Sequence, residues 1–117
     1  MIADYTDEFF NAIDAAYELY PEIKNSIEGI SVIWELEHGL GKLAVKERDY
    51  VFMFNPKLMS LQTIHHEIAH MICVALDKPV DHGIEFQKIM GEIWRYCSNI
   101  EIYKQVQYDK IMEEYFV

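Results

Sequence analysis

The stretch SLQTIHHEIAHMICVAL, residues 60–76, carries a single helical period with two different faces. An α-helix turns about 100° per residue, so positions three and four apart lie on one side. Leu61, Ile64, Ile68, Met71, Ile72 and Ala75 recur at that spacing and define a core side. His66 and His70 project from the opposite side, one turn above the other, and can share one metal ion. Glu67 is rotated by one residue from His66, beside such an ion rather than on it, where its carboxylate can take a proton from an activated water. Glu67 therefore reads as a general base and not as a ligand.

Zinc prefers tetrahedral nitrogen and sulfur donors, and a hydrolytic site uses three protein ligands with the fourth position left to water. Two helix histidines thus need a third partner. The pattern H-E-x-x-H-x-x-G-x-x-H would require glycine where Cys73 stands and histidine where Leu76 stands, and is excluded. Glu92, farther along the chain, reads as a solvated carboxylate on an amphipathic helix. His82 is the better choice. It follows Asp77-Lys78-Pro79, which stops the first helix, and stands at the start of another with apolar positions Ile84, Phe86, Ile89, Met90, Ile93, Trp94 and Cys97. The partial positive charge of a helix start disfavours imidazolium and keeps the ring neutral for a metal. Gly83 would let the backbone turn tightly there, and Phe86 would anchor the turn in the core. Cys73, one turn beyond His70, is a weaker candidate ligand. His65 reads as a helix histidine with a local hydrogen bond, and His38, in a glycine turn, as a surface residue.

These residues resemble the SprT-like family of zinc metallopeptidases, which includes the Spartan proteases acting on protein crosslinked to DNA. Besides the HEIAH helix, the family's histidine-glycine-x-x-phenylalanine element with a following methionine is matched by His82, Gly83, Phe86 and Met90. An apolar strand ending in an asparagine-proline-x-leucine turn is matched by Val51 to Phe54 and by Asn55-Pro56-Lys57-Leu58, and Thr63 stands where the family often has threonine. The resemblance spans about residues 30 to 95. It implies a zincin-like domain, Zn2+ held by His66, His70 and His82, and a catalytic Glu67 in an enzyme that hydrolyses peptide bonds, with a relation to DNA–protein crosslink proteolysis. Many relatives continue into a cysteine-rich zinc-binding segment. Here only Cys73 and Cys97 occur, without a C-x-x-C pair, which reads as a minimal catalytic domain.

Composition fits that reading. A chain of 117 residues with 51% hydrophobic and 14% aromatic content is expected to form one domain over residues 1–117. Ten Lys and Arg against 20 Asp and Glu give a formal charge of −10, which repels a phosphate backbone. Direct nucleic-acid binding is disfavoured, and any link to DNA is expected to run through a partner protein. Lys42, Lys46 and Arg48 are the nearest approach to a basic cluster and read as a solvated strand and turn. The N-terminus lacks a basic and apolar signal stretch, and no run approaches the roughly 20 apolar residues of a bilayer span, so no membrane association and a cytoplasmic setting are expected. The two cysteines read as reduced, buried small hydrophobes. Oligomeric state is not legible.

The elements around the metal helix follow from periodicity and predict an α+β fold. Thr6 can cap a first helix with Asp7 and Glu8 in its first turn and Phe9, Ile13, Ala16, Tyr17 and Tyr20 as its apolar stripe, ended by Pro21. Val32, Trp34 and Leu36 alternate with polar or outward positions as a half-buried strand. Gly39 and Gly41 mark a turn; Leu43 and Val45 alternate with Lys42, Ala44 and Lys46; and Tyr50 to Phe54 is apolar on both sides, the most covered strand. The three are expected to form a small antiparallel sheet. Residues from Ile100 to Val117, with Ile102, Tyr103, Val106, Ile111, Tyr115 and Phe116, are expected to add a C-terminal helix over the core, the same apolar positions being equally suited to a partner.

The chemistry expected is metal-assisted hydrolysis of a protein or peptide lying extended beside an exposed sheet edge. Tyr50, Tyr96 and Tyr103 could stabilise an oxyanion, but none is assigned. Two other classes stay open: a zinc-binding adaptor or interaction domain without activity, in which Glu67 would have no role and a fourth protein ligand is expected, and a nuclease or other non-peptide hydrolase, to which the acidic charge is ill suited.

Overall fold

The computed structural model describes residues 5–100. Helix α1 spans Thr6–Leu19 and is followed by a short 3-10 turn, Pro21–Asn25. Strands β1 (Gly29–Ile33), β2 (Gly41–Lys46) and β3 (Asp49–Phe54) come next, then helices α2 (Leu61–Ala75) and α3 (Ile84–Ile100). The architecture is α+β, as the periodicities predict. Among the described residues no helix is long and apolar enough to cross a membrane. The expected C-terminal helix with Ile102, Tyr103, Val106, Ile111, Tyr115 and Phe116 lies outside the described residues.

The sheet is mixed rather than wholly antiparallel. Its order is β1-β3-β2, with β2 antiparallel and β1 parallel to β3. The reason is the composition of β3. Tyr50, Phe52 and Phe54 are almost fully buried, and the strand with most to bury takes the centre. The two-residue turn Glu47-Arg48 makes β2 and β3 a hairpin, and segment 34–40 carries the chain from the end of β1 across to the far edge. Odd-numbered strands run the same way and have become neighbours, so their pairing is parallel.

β1 also ends earlier than its alternation suggests. Trp34 and Leu36 lie beyond the strand, yet both stay tied to β3: the Trp34 ring stacks on Phe54 at 5.3 Å, and Leu36 N–H donates to Phe54 O at 3.1 Å. Inward alternation survives where ladder pairing stops.

The helices cover one face of the sheet. Phe9 of α1 sets its ring 5.0 Å from Phe52 and 5.9 Å from Phe54, and Ala12, Ile13 and Ala16 complete its buried stripe. Thr6 is the first helical residue rather than the cap; Tyr5 precedes it as N-cap without a side-chain bond. Ile64, Ile68, Met71 and Ile72 of α2 and Ile89 and Ile93 of α3 fill the centre. Each such aliphatic side chain contributes about 2–5 kcal/mol when measured by truncation to alanine. Cys73 belongs to this core, where burial raises its thiol pKa, and it takes no part in the histidine cluster.

Both ends of α2 are capped. Ser60 Oγ accepts from Thr63 N–H at 3.2 Å and sits 3.1 Å from the Thr63 hydroxyl; such a cap stabilises by about 1 kcal/mol. At the other end Asp77 adopts φ 56°, its N–H donates to Val74 O, and Lys78 N–H donates to Cys73 O. These two bonds are a Schellman closure, normally built on glycine. The reversal it produces turns the chain back past the side of α2 that carries His66 and His70.

Candidate metal centre

Three imidazoles converge at the outer side of α2. His66 Nε2 and His82 Nε2 each stand 3.2 Å from His70 Nε2, and one ligand atom from each ring lies within 4.8 Å of the others. The donor set fits zinc. Nitrogens about 2.0–2.1 Å from a tetrahedral ion stand roughly 3.3 Å apart. An imidazole nitrogen offers one in-plane direction, either a proton or a lone pair. His70 Nε2 faces two equivalent nitrogens, and a single proton can serve only one of them. A cation accepts all three lone pairs together.

Two of the rings, His66 and His70, are held toward the neutral form that ligation needs. Burial, with smaller contributions from His66 and His82, pushes His70 down to about 4. Burial and then His82 also lower His66. His70 Nδ1 is buried without a hydrogen-bond partner among the described residues. An orphaned polar atom of this kind costs about 1–3 kcal/mol, so this ring is fixed by packing and by whatever its Nε2 binds.

Phe86 supplies much of that packing. Its ring centroid lies 4.9 Å from His66, 4.6 Å from His70 and 5.1 Å from His82. One nearly buried aromatic ring thus forms a common floor for three histidines. The loop holding His82 is further tied by Gly83 N–H to Asp81 Oδ1 at 3.0 Å and by Gln87 Nε2 to His82 O at 3.0 Å. His82 stands two residues before α3 rather than within it. Gly83 has no left-handed φ; its missing side chain instead leaves room for Asp81 Oδ1, which a Cβ would meet at 2.9 Å.

Glu67 lies next to the cluster and is almost buried, and burial pushes its carboxyl up to about 7. It borders two grooves that share Gly41 and His66. One, of about 410 Å³, runs along Leu43 and Val45 of β2 to Val74, Val80, His70 and His82. The other, of about 400 Å³, runs from Leu40 to Ser60, Gln62 and Thr63. A cleft therefore passes the metal-facing side in both directions, with β2 as one wall.

The orientation of that wall follows from the ladder. Phe54 O bonds outward to Leu36, whereas Asn55 N–H bonds to Leu40 O. Antiparallel pairs alternate between bonded and non-bonded positions, so Gly41, paired with Phe54, is a non-bonded position, as are Leu43 and Val45. Their N–H and C=O groups point away from β3 toward the free edge. Asn55 braces the approach to this edge, its Nδ2 donating to Gly39 O at 3.1 Å and its Oδ1 accepting from Lys57 N–H.

Other polar residues fall elsewhere. Glu92 is not a free surface carboxylate: it accepts a hydrogen bond from the Tyr20 hydroxyl and ties α3 to α1. His65 is buried edge-on against Trp94 at 5.0 Å, its Nδ1 has no partner among the described residues, and burial lowers it to about 4; the local hydrogen bond expected for it is not made by that nitrogen. His38 is exposed. The residue that sequence reasoning missed is Gly41, which reads as an ordinary turn glycine and only the packing sets against Glu67. The model of the SprT-like family matches residues 1–105 of the chain. No curated protein and no solved structure matches it.

Proposed function

The chain belongs to the SprT-like family, and from that premise we propose that it is a zinc-dependent metallopeptidase that hydrolyses peptide bonds in protein substrates. The observation that carries the proposal is the meeting of three imidazole Nε2 atoms beside a buried carboxylate in an open cleft. When bound, zinc supplies Lewis acidity, which polarises a carbonyl and lowers the pKa of water toward about 7. His66, His70 and His82 would hold it. Glu67 accepts the proton of the attacking water on its carboxylate and delivers that proton to the leaving amine nitrogen. Its burial serves the step, because a carboxylate poorly solvated in the cleft is a stronger base than one in water.

Substrate is held by the free edge of β2. The outward N–H and C=O groups of Gly41, Leu43 and Val45 bond an extended chain as an added strand, which recognises main chain and tolerates sequence. Unfolded protein is the substrate class that presents such a chain. Relation to the Spartan group extends the proposal to protein crosslinked to DNA, with recruitment by a partner protein because the formal charge is −10.

The adaptor reading is less well supported. A structural zinc site is closed by four protein ligands, and among the described residues the metal-capable group contains three histidines and no fourth His, Cys, Asp or Glu. Glu67→Gln tests the choice. The variant is expected to retain zinc and lose hydrolysis of unfolded protein. Undiminished hydrolysis rejects Glu67 as base, and cleavage of nucleic acid alone by the metal-loaded protein transfers the proposal to a nuclease.

A further inference from the structure

Gly41 stands at the first position of β2, where both grooves meet. Its backbone is not in the left-handed region, so conformation alone does not call for glycine. Space does. A Cβ built at this position would lie 3.0 Å from Thr63 Cγ2, 3.1 Å from Phe54 Cδ1 and 3.2 Å from Glu67 Cγ. Three side chains close around one missing methyl group.

The three walls are not equally free to move. Phe54 is fully buried between Phe9, Phe52 and Trp34. Thr63 is nearly buried, with its hydroxyl against Ser60 Oγ and its N–H in the cap of α2. Glu67 is held at its backbone by the helix, and its side chain, which borders both grooves, has no hydrogen-bonding role in the cap of α2 and no place in the aromatic cluster. A methyl group at position 41 would be accommodated mainly by displacement of the Glu67 side chain, or by an outward shift of β2 that moves substrate relative to it.

We infer that Gly41 is a positioning residue for Glu67: its bare Cα sets how close the carboxylate lies to the substrate-binding edge of β2. The inference rests on the peptidase reading and adds to it. One residue turns its backbone N–H and C=O toward the extended substrate and its side-chain direction toward the general base. The register of the bound chain and the place of the base are thereby set from one atom.

The test is steady-state hydrolysis of fluorescein-labelled casein, an unfolded protein, by zinc-loaded Gly41→Ala, Glu67→Gln, Thr63→Ser and the Gly41→Ala/Thr63→Ser double variant, with zinc content and melting temperature measured on each. Gly41→Ala is expected to keep one zinc and lose roughly tenfold or more in kcat, with KM changed by less than about twofold. Thr63→Ser removes the atom nearest the new methyl while keeping the hydroxyl, so the double variant is expected to recover part of that kcat. Wild-type kcat in folded, zinc-loaded Gly41→Ala overturns the inference, and so does failure of both Gly41→Ala and the double variant to fold, because the cost would then fall on the fold. Retained activity in Glu67→Gln overturns the peptidase reading itself, whatever Gly41→Ala does.

Discussion

His70 and His82 bring their Nε2 atoms to 3.2 Å although twelve residues separate them. The approach depends on the reversal after α2, where Asp77 in the left-handed region and the Lys78 N–H to Cys73 O bond turn the chain, and on Phe86, which floors both rings. His82 is therefore expected to be decisive for metal binding. His82→Ala should weaken zinc by more than the roughly 10–100-fold typical of losing an outer partner of a ligand, with helical circular dichroism unchanged. Titration of the apo-protein with zinc checks it; equal affinity would remove His82 from the ligand set.

Metal removal should also be visible in stability. At free zinc about 100 times Kd, binding to the native state alone contributes about 2.7 kcal/mol, which for a chain of this size corresponds to a melting temperature higher by roughly 10 °C. Chelation should reverse the shift. A melting temperature indifferent to chelator and to added zinc would show that the three rings do not bind the ion in the folded protein.

Phe86 separates packing from ligation. Phe86→Ala removes the ring beneath all three histidines and is expected to cost about 3–5 kcal/mol of stability and to weaken zinc binding. Phe86→Leu, which refills most of the volume, should recover much of both. Stability recovered without zinc affinity would mean that the flat face of the ring, rather than its bulk, orients the imidazoles.

The alternation along β2 makes a sharp contrast between neighbours. Val45 turns its N–H to the free edge, so Val45→Pro should leave the β2–β3 ladder intact and lower kcat/KM for unfolded protein by roughly tenfold through one lost main-chain bond. Ala44 turns its N–H toward β3, so Ala44→Pro should destabilise the fold, by about 1–3 kcal/mol for the ladder bond lost. Thermal melts of the two variants decide the matter; equal losses would mean that the register is misassigned.

Both cysteines should titrate late. Burial pushes the Cys97 thiol up to about 11 and raises Cys73. A raised thiol pKa leaves the reactive thiolate scarce near pH 8, so alkylation by iodoacetamide should be slow there and should keep accelerating as pH rises toward 11. A rate that levels off below pH 9 would place the Cys97 thiol in water.

Much of the site was legible because its signal is local. Helical period puts His66 and His70 on one side of α2 and Ile64, Ile68, Met71 and Ile72 on the other, and the structure has that division. Glu92 went unread as a partner of Tyr20 because a hydrogen bond between residues 72 apart leaves no trace in either one's neighbourhood. The mixed sheet went unread for a similar cause. Period two tells which residues face inward, and it is the same for parallel and antiparallel neighbours.

By itself the sequence determined most of the described elements, the inward alternation along them, and which side chains carry nitrogen and carboxylate donors, since these depend on the rotation per residue along one helix or strand. Tertiary structure alone decided that β3 takes the centre, that the free edge of β2 borders the cleft, and that Gly41 leaves room for Glu67. Those relations join residues distant in the chain. They are settled by which buried surfaces fill space together, and packing of that kind is a property of the assembled core rather than of any one segment.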